Sequence, residues 1–134
     1  MTPVFADASY YVALLSPRDQ HHHDAIRISG ELRQPVIVTE LVLIEVSNAL
    51  VSIDSRVRAV ALWAHLQNDP SVTIVPASTE LIADGRNLYA RRSDKEWSLT
   101  DCVSFIVMEK RGLNDALTAD HHFQQAGFTM LLIS

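Results

Sequence analysis

Four carboxylates in this chain adjoin segments that a charge avoids. Asp7, Glu45, Asp101 and Asp120 each lie beside or within an apolar run that reads as a strand or a core helix. Burying a charge there is expensive unless it finds a partner. No Lys or Arg lies close in sequence to Asp7 or Glu45. If the fold gathers the four, their mutual repulsion calls for a bound cation. All are oxygen donors with no cysteine pair beside them, which suits Mg2+ or Mn2+ better than zinc. The chemistry open to such a set is metal-dependent hydrolysis.

Each acid also has a structural reading. Asp7 can cap the helix that follows it, in competition with Ser9. Glu45 can lie on a narrow solvent stripe with Ser52, although Leu41-Val42-Leu43-Ile44 and Val46 surround it. Ser98-Leu99-Thr100-Asp101 has the spacing of a capping box. Asp120 can cap a short helix after Leu117-Thr118-Ala119. Asp84 and Asp115 read as helix-surface and turn residues.

The elements that must position these acids follow from hydrophobic runs and caps. Strands are expected at 3–6, 35–38, 72–75, 116–119 and 129–133. Helices are expected at 10–15, 20–33, 39–53, 55–67, 78–92, 98–110 and from 120 to 125, with Gly112 closing the sixth. The strands are continuous apolar runs that alternate with helices. That pattern predicts an α/β fold with a parallel sheet covered on both faces, in one domain spanning residues 1–134. Ligands of such sheets bind outside the carboxyl ends of the strands. Asp7 and Asp120 both follow strand ends, and so face one edge.

Composition narrows the classes. The chain has 134 residues, 48% of them hydrophobic, enough for a sizeable core. Cys102 is the single cysteine, so no intrachain disulfide forms, and it reads as core. No signal peptide or membrane span is expected, which points to the cytoplasm. The net charge of −5 argues against a broad basic nucleic-acid surface. Without the four acids the balance is nearly neutral.

Four stretches together resemble the PIN-domain nucleases, and most closely the VapC-like toxins of toxin–antitoxin pairs. They are Phe5-Ala6-Asp7-Ala8-Ser9, Thr39-Glu40-Leu41-Val42-Leu43-Ile44-Glu45-Val46, Ser98-Leu99-Thr100-Asp101-Cys102-Val103-Ser104-Phe105, and Leu117-Thr118-Ala119-Asp120-His121-His122-Phe123 ending at Gly127. The resemblance implies a three-layer α/β/α fold with a five-stranded parallel sheet. It implies Mg2+- or Mn2+-dependent endoribonuclease activity on RNA, with a cognate antitoxin and a homodimer as partners. By motif position Asp7 and Asp101 look like the main metal ligands. Glu45 and Asp120 complete the catalytic set, and Ser9 and Thr118 support the carboxylates by hydrogen bonds.

Other features have plainer readings. His21-His22-His23 reads as a solvated run, and His121 and His122 could belong to the site's outer shell. Arg86, Arg91, Arg92 and Lys95, with Tyr89 and Trp97, could contact an RNA backbone and stack a base. Residues 10–15 and the helices from 39 to 67 carry surplus apolar side chains that suit a dimer or an antitoxin helix. A receiver domain is excluded because no Lys follows the last alternation. A haloacid-dehalogenase-type phosphatase is excluded because Ser9 stands where a second Asp is needed. A PIN-type RNA-processing nuclease outside a toxin–antitoxin pair, and a non-catalytic binding module, are the alternatives.

Overall fold

The computed structural model describes residues 1–132. Five short strands, β1 (Val4–Ala6), β2 (Val36–Thr39), β3 (Val72–Val75), β4 (Asp115–Leu117) and β5 (Thr129–Met130), pair in the order β3-β2-β1-β4-β5. Every pairing is parallel. β1 and β2 are buried at every position, because helices cover both faces of the sheet. This is the expected three-layer α/β/α arrangement. The helices are α1 (Ala8–Leu15), α2 (His22–Glu31), α3 (Glu40–Ala49), α4 (Ile53–Asn68), α5 (Thr79–Arg91), α6 (Leu99–Lys110) and α7 (His121–Gln125).

The strand order reverses between β1 and β4, and a crevice opens there at the carboxyl ends. Phe5 and Ala6 pair with Ala116 and Leu117 across that join. The core beneath it holds Phe5, Leu43, Met108, Leu117 and Phe123. Phe105 packs edge-on against both Phe123 and Trp97.

Several boundaries differ from expectation, each for a local reason. α1 begins at Ala8, not residue 10, because Asp7 rather than Ser9 is its cap. α2 is shorter than 20–33; Asp19 Oδ1 instead accepts the His21 N–H in a turn ahead of it. α3 stops at Ala49 rather than 53, because the Ser52 hydroxyl accepts the Ser55 N–H at 3.2 Å and starts α4. β4 ends at Leu117, since Thr118 and Ala119 turn their polar groups into the site. β5 is shorter than 129–133, although Leu131 N–H still donates to Ala116 and Leu132 N–H to Thr118. Ile133 lies outside the described residues. Gly112 closes α6 as expected: its φ of 65° lets the Leu113 N–H reach the Met108 carbonyl.

Candidate active site

Asp7 leaves the carboxyl end of β1 and is 4% exposed. Its Oδ2 accepts the Ser9 hydroxyl at 2.8 Å and the Thr118 hydroxyl at 2.9 Å, with the Ser9 N–H at 3.4 Å. The two hydroxyls are themselves oriented. Ser9 Oγ accepts the Ala119 N–H and Thr118 Oγ1 accepts the Asp120 N–H, both at 3.0 Å. The two hydroxyls also lie 3.1 Å from each other, so Ser9, Thr118 and Asp7 form one hydrogen-bonded cluster. The loop after β4 is thereby tied to the end of β1, across the switch point. Ser9 and Thr118 stand where the sequence placed them.

Asp101 sits in the first turn of α6, 6% exposed. The expected capping box is present: the Asp101 N–H donates to Ser98 Oγ at 3.0 Å, and the Ser98 N–H donates to Asp101 Oδ2 at 3.1 Å. Asp120 caps α7 through Oδ1, which accepts the His122 N–H at 2.9 Å. The His122 ring lies between these two acids, its Nδ1 3.1 Å from Asp101 Oδ2 and 3.4 Å from Asp120 Oδ1. An ionised carboxylate only accepts, so Nδ1 carries the shared proton.

A division of labour emerges. Asp7 and Asp101 take these side-chain and capping bonds on Oδ2, and Asp120 on Oδ1. In each acid the bonds to the fold fall on one named oxygen. Among the described residues no Lys or Arg pairs with Asp7, Glu45, Asp101 or Asp120; His121 and His122 are the basic groups that approach Asp101 and Asp120.

Glu45 is where expectation needs correction. Val42, Leu43 and Val46 are buried, but Ile44 and Glu45 are exposed, so the run is not apolar core throughout. Glu45 nonetheless faces the other acids from the rim. It lines one cleft of about 290 Å3 with Asp7, Ser9 and Asp120.

The electrostatics follow from this placement. Burial pushes the Asp7 carboxyl above its ordinary range, the Ser9 and Thr118 bonds pull it back, and the Asp101 charge raises it again. The Glu45 carboxyl is raised by partial desolvation, then by Asp7 and Asp101, with Thr100 opposing and Asp120 adding a little. The four acids therefore sense one another. A set of carboxylate oxygens with no fixed cation suits a hard divalent ion. A tighter group, with ligand atoms within 4.8 Å of one another, is Asp120, His121 and His122. His121 and Asp120 are partly open to water, as an outer shell would be.

Two residues of the cleft were not anticipated. Asp19 and His21 line it beside Asp7. The histidine run was read as solvated, yet His22 Nδ1 lies 2.7 Å from the Ala13 carbonyl and so docks α2 onto α1. A clue was the run's place at the first helix-to-helix connection, at the same sheet edge. His122 was detectable from its adjacency to Asp120. Cys102 is buried core, as read, and burial raises its thiol.

An acid cluster at the β1–β4 switch point of a five-stranded parallel sheet defines a class, and the sequence profile of the PIN domain matches residues 4–129. The chain belongs to the PIN domain family. Within it the chain is similar to a VapC nuclease. It is 27% identical over 125 residues to the 23S rRNA-specific endonuclease VapC20 of Mycobacterium tuberculosis, covering 93% of this chain and 95% of that protein. The crystal structure of VapC20, a Sarcin-Ricin loop cleaving toxin, matches with a TM-score of 0.86 and 28% identity, over 94% of this chain and 96% of that one. FitAcB from Neisseria gonorrhoeae matches with a TM-score of 0.65 and 17% identity over 95% of each chain, which is a likeness of fold. Among the described residues no helix is long and apolar enough to cross a membrane.

Proposed function

We propose that this protein is a divalent-metal-dependent endoribonuclease and the toxin of a toxin–antitoxin pair. The observation that carries the reading is the set of three acids, Asp7, Asp101 and Asp120, each anchored through one oxygen at the switch point with no Lys or Arg to neutralise it. The similarity to a 23S rRNA endonuclease supports RNA as substrate. Asp7 and Asp101 are the residues that would hold Mg2+ or Mn2+, an ion that supplies positive charge to the scissile phosphate and makes water a better nucleophile.

The chain's own groups do the rest. Ser9 and Thr118 hold the Asp7 carboxylate in one orientation. The Asp101 carboxylate is fixed by its capping box and by His122. Glu45, raised above the ordinary carboxylate range, suits a general base nearer neutral pH. It accepts the proton of the attacking water as the new P–O bond forms and the P–O3′ bond breaks, and the departing 3′ oxygen takes a proton from solvent water. Asp120 orients that water from the opposite wall of the cleft.

Ile44, Val51, Ile53, Val57 and Val60 are exposed on α3, α4 and the turn between them, an apolar surplus that supports a protein partner there, the antitoxin. A homodimer is the second use for such a face.

The test is cleavage of RNA with Mg2+ or Mn2+ by the natural chain and by Asp7→Asn. Cleavage that disappears in the variant supports the reading. Cleavage that survives unchanged refutes it. In parallel, Mg2+ or Mn2+ at about 100 times its dissociation constant should stabilise the natural chain by about 2.7 kcal/mol, and Asp7→Asn far less.

A further inference from the structure

An acidic cleft repels the polymer it is meant to cut, so a phosphodiesterase of this charge needs a basic surface elsewhere. The chain carries 11 Lys and Arg against 16 Asp and Glu, and the acids of the cleft have no cationic neighbour but histidine. Three of the cations, Arg86, Arg92 and Lys95, line one groove together with a single acid, Glu96. This groove of about 1150 Å3 runs along the C-terminal half of α5, through the loop to α6 and onto the first turn of α6. That is larger than the ~300–1,000 Å3 of small-molecule sites, as a polymer segment requires.

Its lining separates into scaffold and free groups. Arg92 is committed: its guanidinium binds both oxygens of Asp94 at 3.0 Å and lies 5.1 Å over the Trp97 ring. Trp97 is buried, and its Nε1–H donates to Gln125 Oε1 at 2.9 Å, so it is a wall and not the stacking surface the sequence suggested. Arg86 and Lys95 also line the groove and enter no ion pair among the described residues. Tyr89, 55% exposed, adds a free aromatic face beside them. Ser98 and Leu99 form the end of the groove, and Ser98 is the cap bonded to Asp101. The Ser98–Asp101 cap thus links the end of the groove to the acid cluster.

We infer that this groove is a binding site for single-stranded RNA. Arg86 and Lys95 contact backbone phosphates, a base stacks on Tyr89, and the strand continues past Ser98 to the acids. Cations outside close ion pairs and an open aromatic ring are what a single strand uses, because every base has a face to stack and every link has a phosphate. The inference rests on the nuclease reading, and binding separates the two.

The experiment measures anisotropy of a labelled single-stranded RNA of about 12 nucleotides, within the ~4–16 nucleotides such sites cover, on the Asp7→Asn chain, against a salt series. Adding Arg86→Ala and Lys95→Ala should lower the slope of log affinity against log salt by about 1.4, for two phosphate contacts at ~0.7 each. Tyr89→Ala should weaken binding about ten-fold by removing one stacked base. In the cleaving chain the same substitutions should raise KM more than they lower kcat. Unchanged affinity and slope in all three variants overturn the groove, even where the natural chain cleaves RNA. So do unchanged RNA binding and an altered sedimentation mass, which make it a protein interface. Groove-dependent binding without cleavage keeps the site and discards the nuclease. A chain that neither binds nor cleaves RNA refutes both.

Discussion

Thr118→Val isolates one hydroxyl in the middle of the site. The two side chains have nearly the same shape, so the substitution exchanges an O–H for a methyl and moves little else. Thr118 is fully buried, donates to Asp7 at 2.9 Å and accepts the Asp120 N–H at 3.0 Å. Removing a bond to a charged acceptor costs about 1.5–3 kcal/mol, and leaving a buried N–H without a partner costs about 1–3 kcal/mol. The added methyl returns roughly 0.8 kcal/mol. The net loss is about 2–5 kcal/mol, and at ~3–4 °C per kcal/mol for this chain length Tm should fall by roughly 6–20 °C. Loss of the bond also removes one of the influences that hold the Asp7 carboxyl down, so Asp7 moves further upward. Affinity for Mg2+ or Mn2+ should weaken with it. Thr118→Ser is the control, keeping the hydroxyl and losing a methyl at a cost near 1 kcal/mol. The assay is urea unfolding without metal at pH 7, followed by a metal titration of Tm. If the Val and Ser variants unfold at the same urea concentration and bind metal equally, the oriented hydroxyl does nothing and the account of Asp7 fails.

Asp7→Asn should make the metal-free chain more stable at neutral pH while abolishing RNA cleavage. Asn caps a helix as well as Asp, and the raised Asp7 carboxyl means the folded state holds its proton more tightly than the unfolded chain. Asp7 therefore favours folding most below about pH 4, and that contribution is lost as pH rises through its folded value. Chemical denaturation from pH 4 to 8 without metal should show the decline flatten in the Asn variant; equal slopes would contradict it. Gly85→Ala should destabilise, although Ala favours a helix, because the new Cβ would lie 2.4 Å from Val103 Cγ2 and 3.3 Å from the Val103 backbone. A Tm lowered by an overpacking cost of about 1–3 kcal/mol, less ~1 kcal/mol of helix propensity, is expected, and a Tm above that of the natural chain would show that α5 shifts freely on α6.

Much of this architecture was legible because local signals agreed. The unbroken apolar strands announced a parallel sheet, and Ser78 and Ser98 marked helix starts that the structure keeps. Boundaries slipped where two polar groups competed for one backbone N–H. Ser52 outbid continuation of α3, and Asp7 took the cap that Ser9 could have filled. The strand order was not legible, because nothing in a sequence marks which neighbour β1 takes; that choice places Thr118 against Asp7. Asp19 and His21 were missed for the same reason, since they reach the cleft through the return of a connection and not through a motif.

The sharper lesson concerns the contest between capping and chemistry. Each aspartate offered a cap reading beside a functional one, and the structure gives all three a capping role. A carboxylate has two oxygens, and a helix N-terminus needs only one of them. The capping bonds hold the group rigid and lower the cost of keeping it ionised. α1, α6 and α7 all begin at this edge of the sheet, so three helix N-termini bring their positive ends to a place crowded with negative charge. Capping is thus how a chain with no Lys or Arg at the site keeps three acids together before any cation arrives. Glu45 marks the contrast. It caps nothing, stands on the body of α3 at the exposed rim and, like Asp7, has a raised carboxyl. An acid on the rim with a raised carboxyl is suited to moving a proton, while the three aspartates are held in place by their capping bonds.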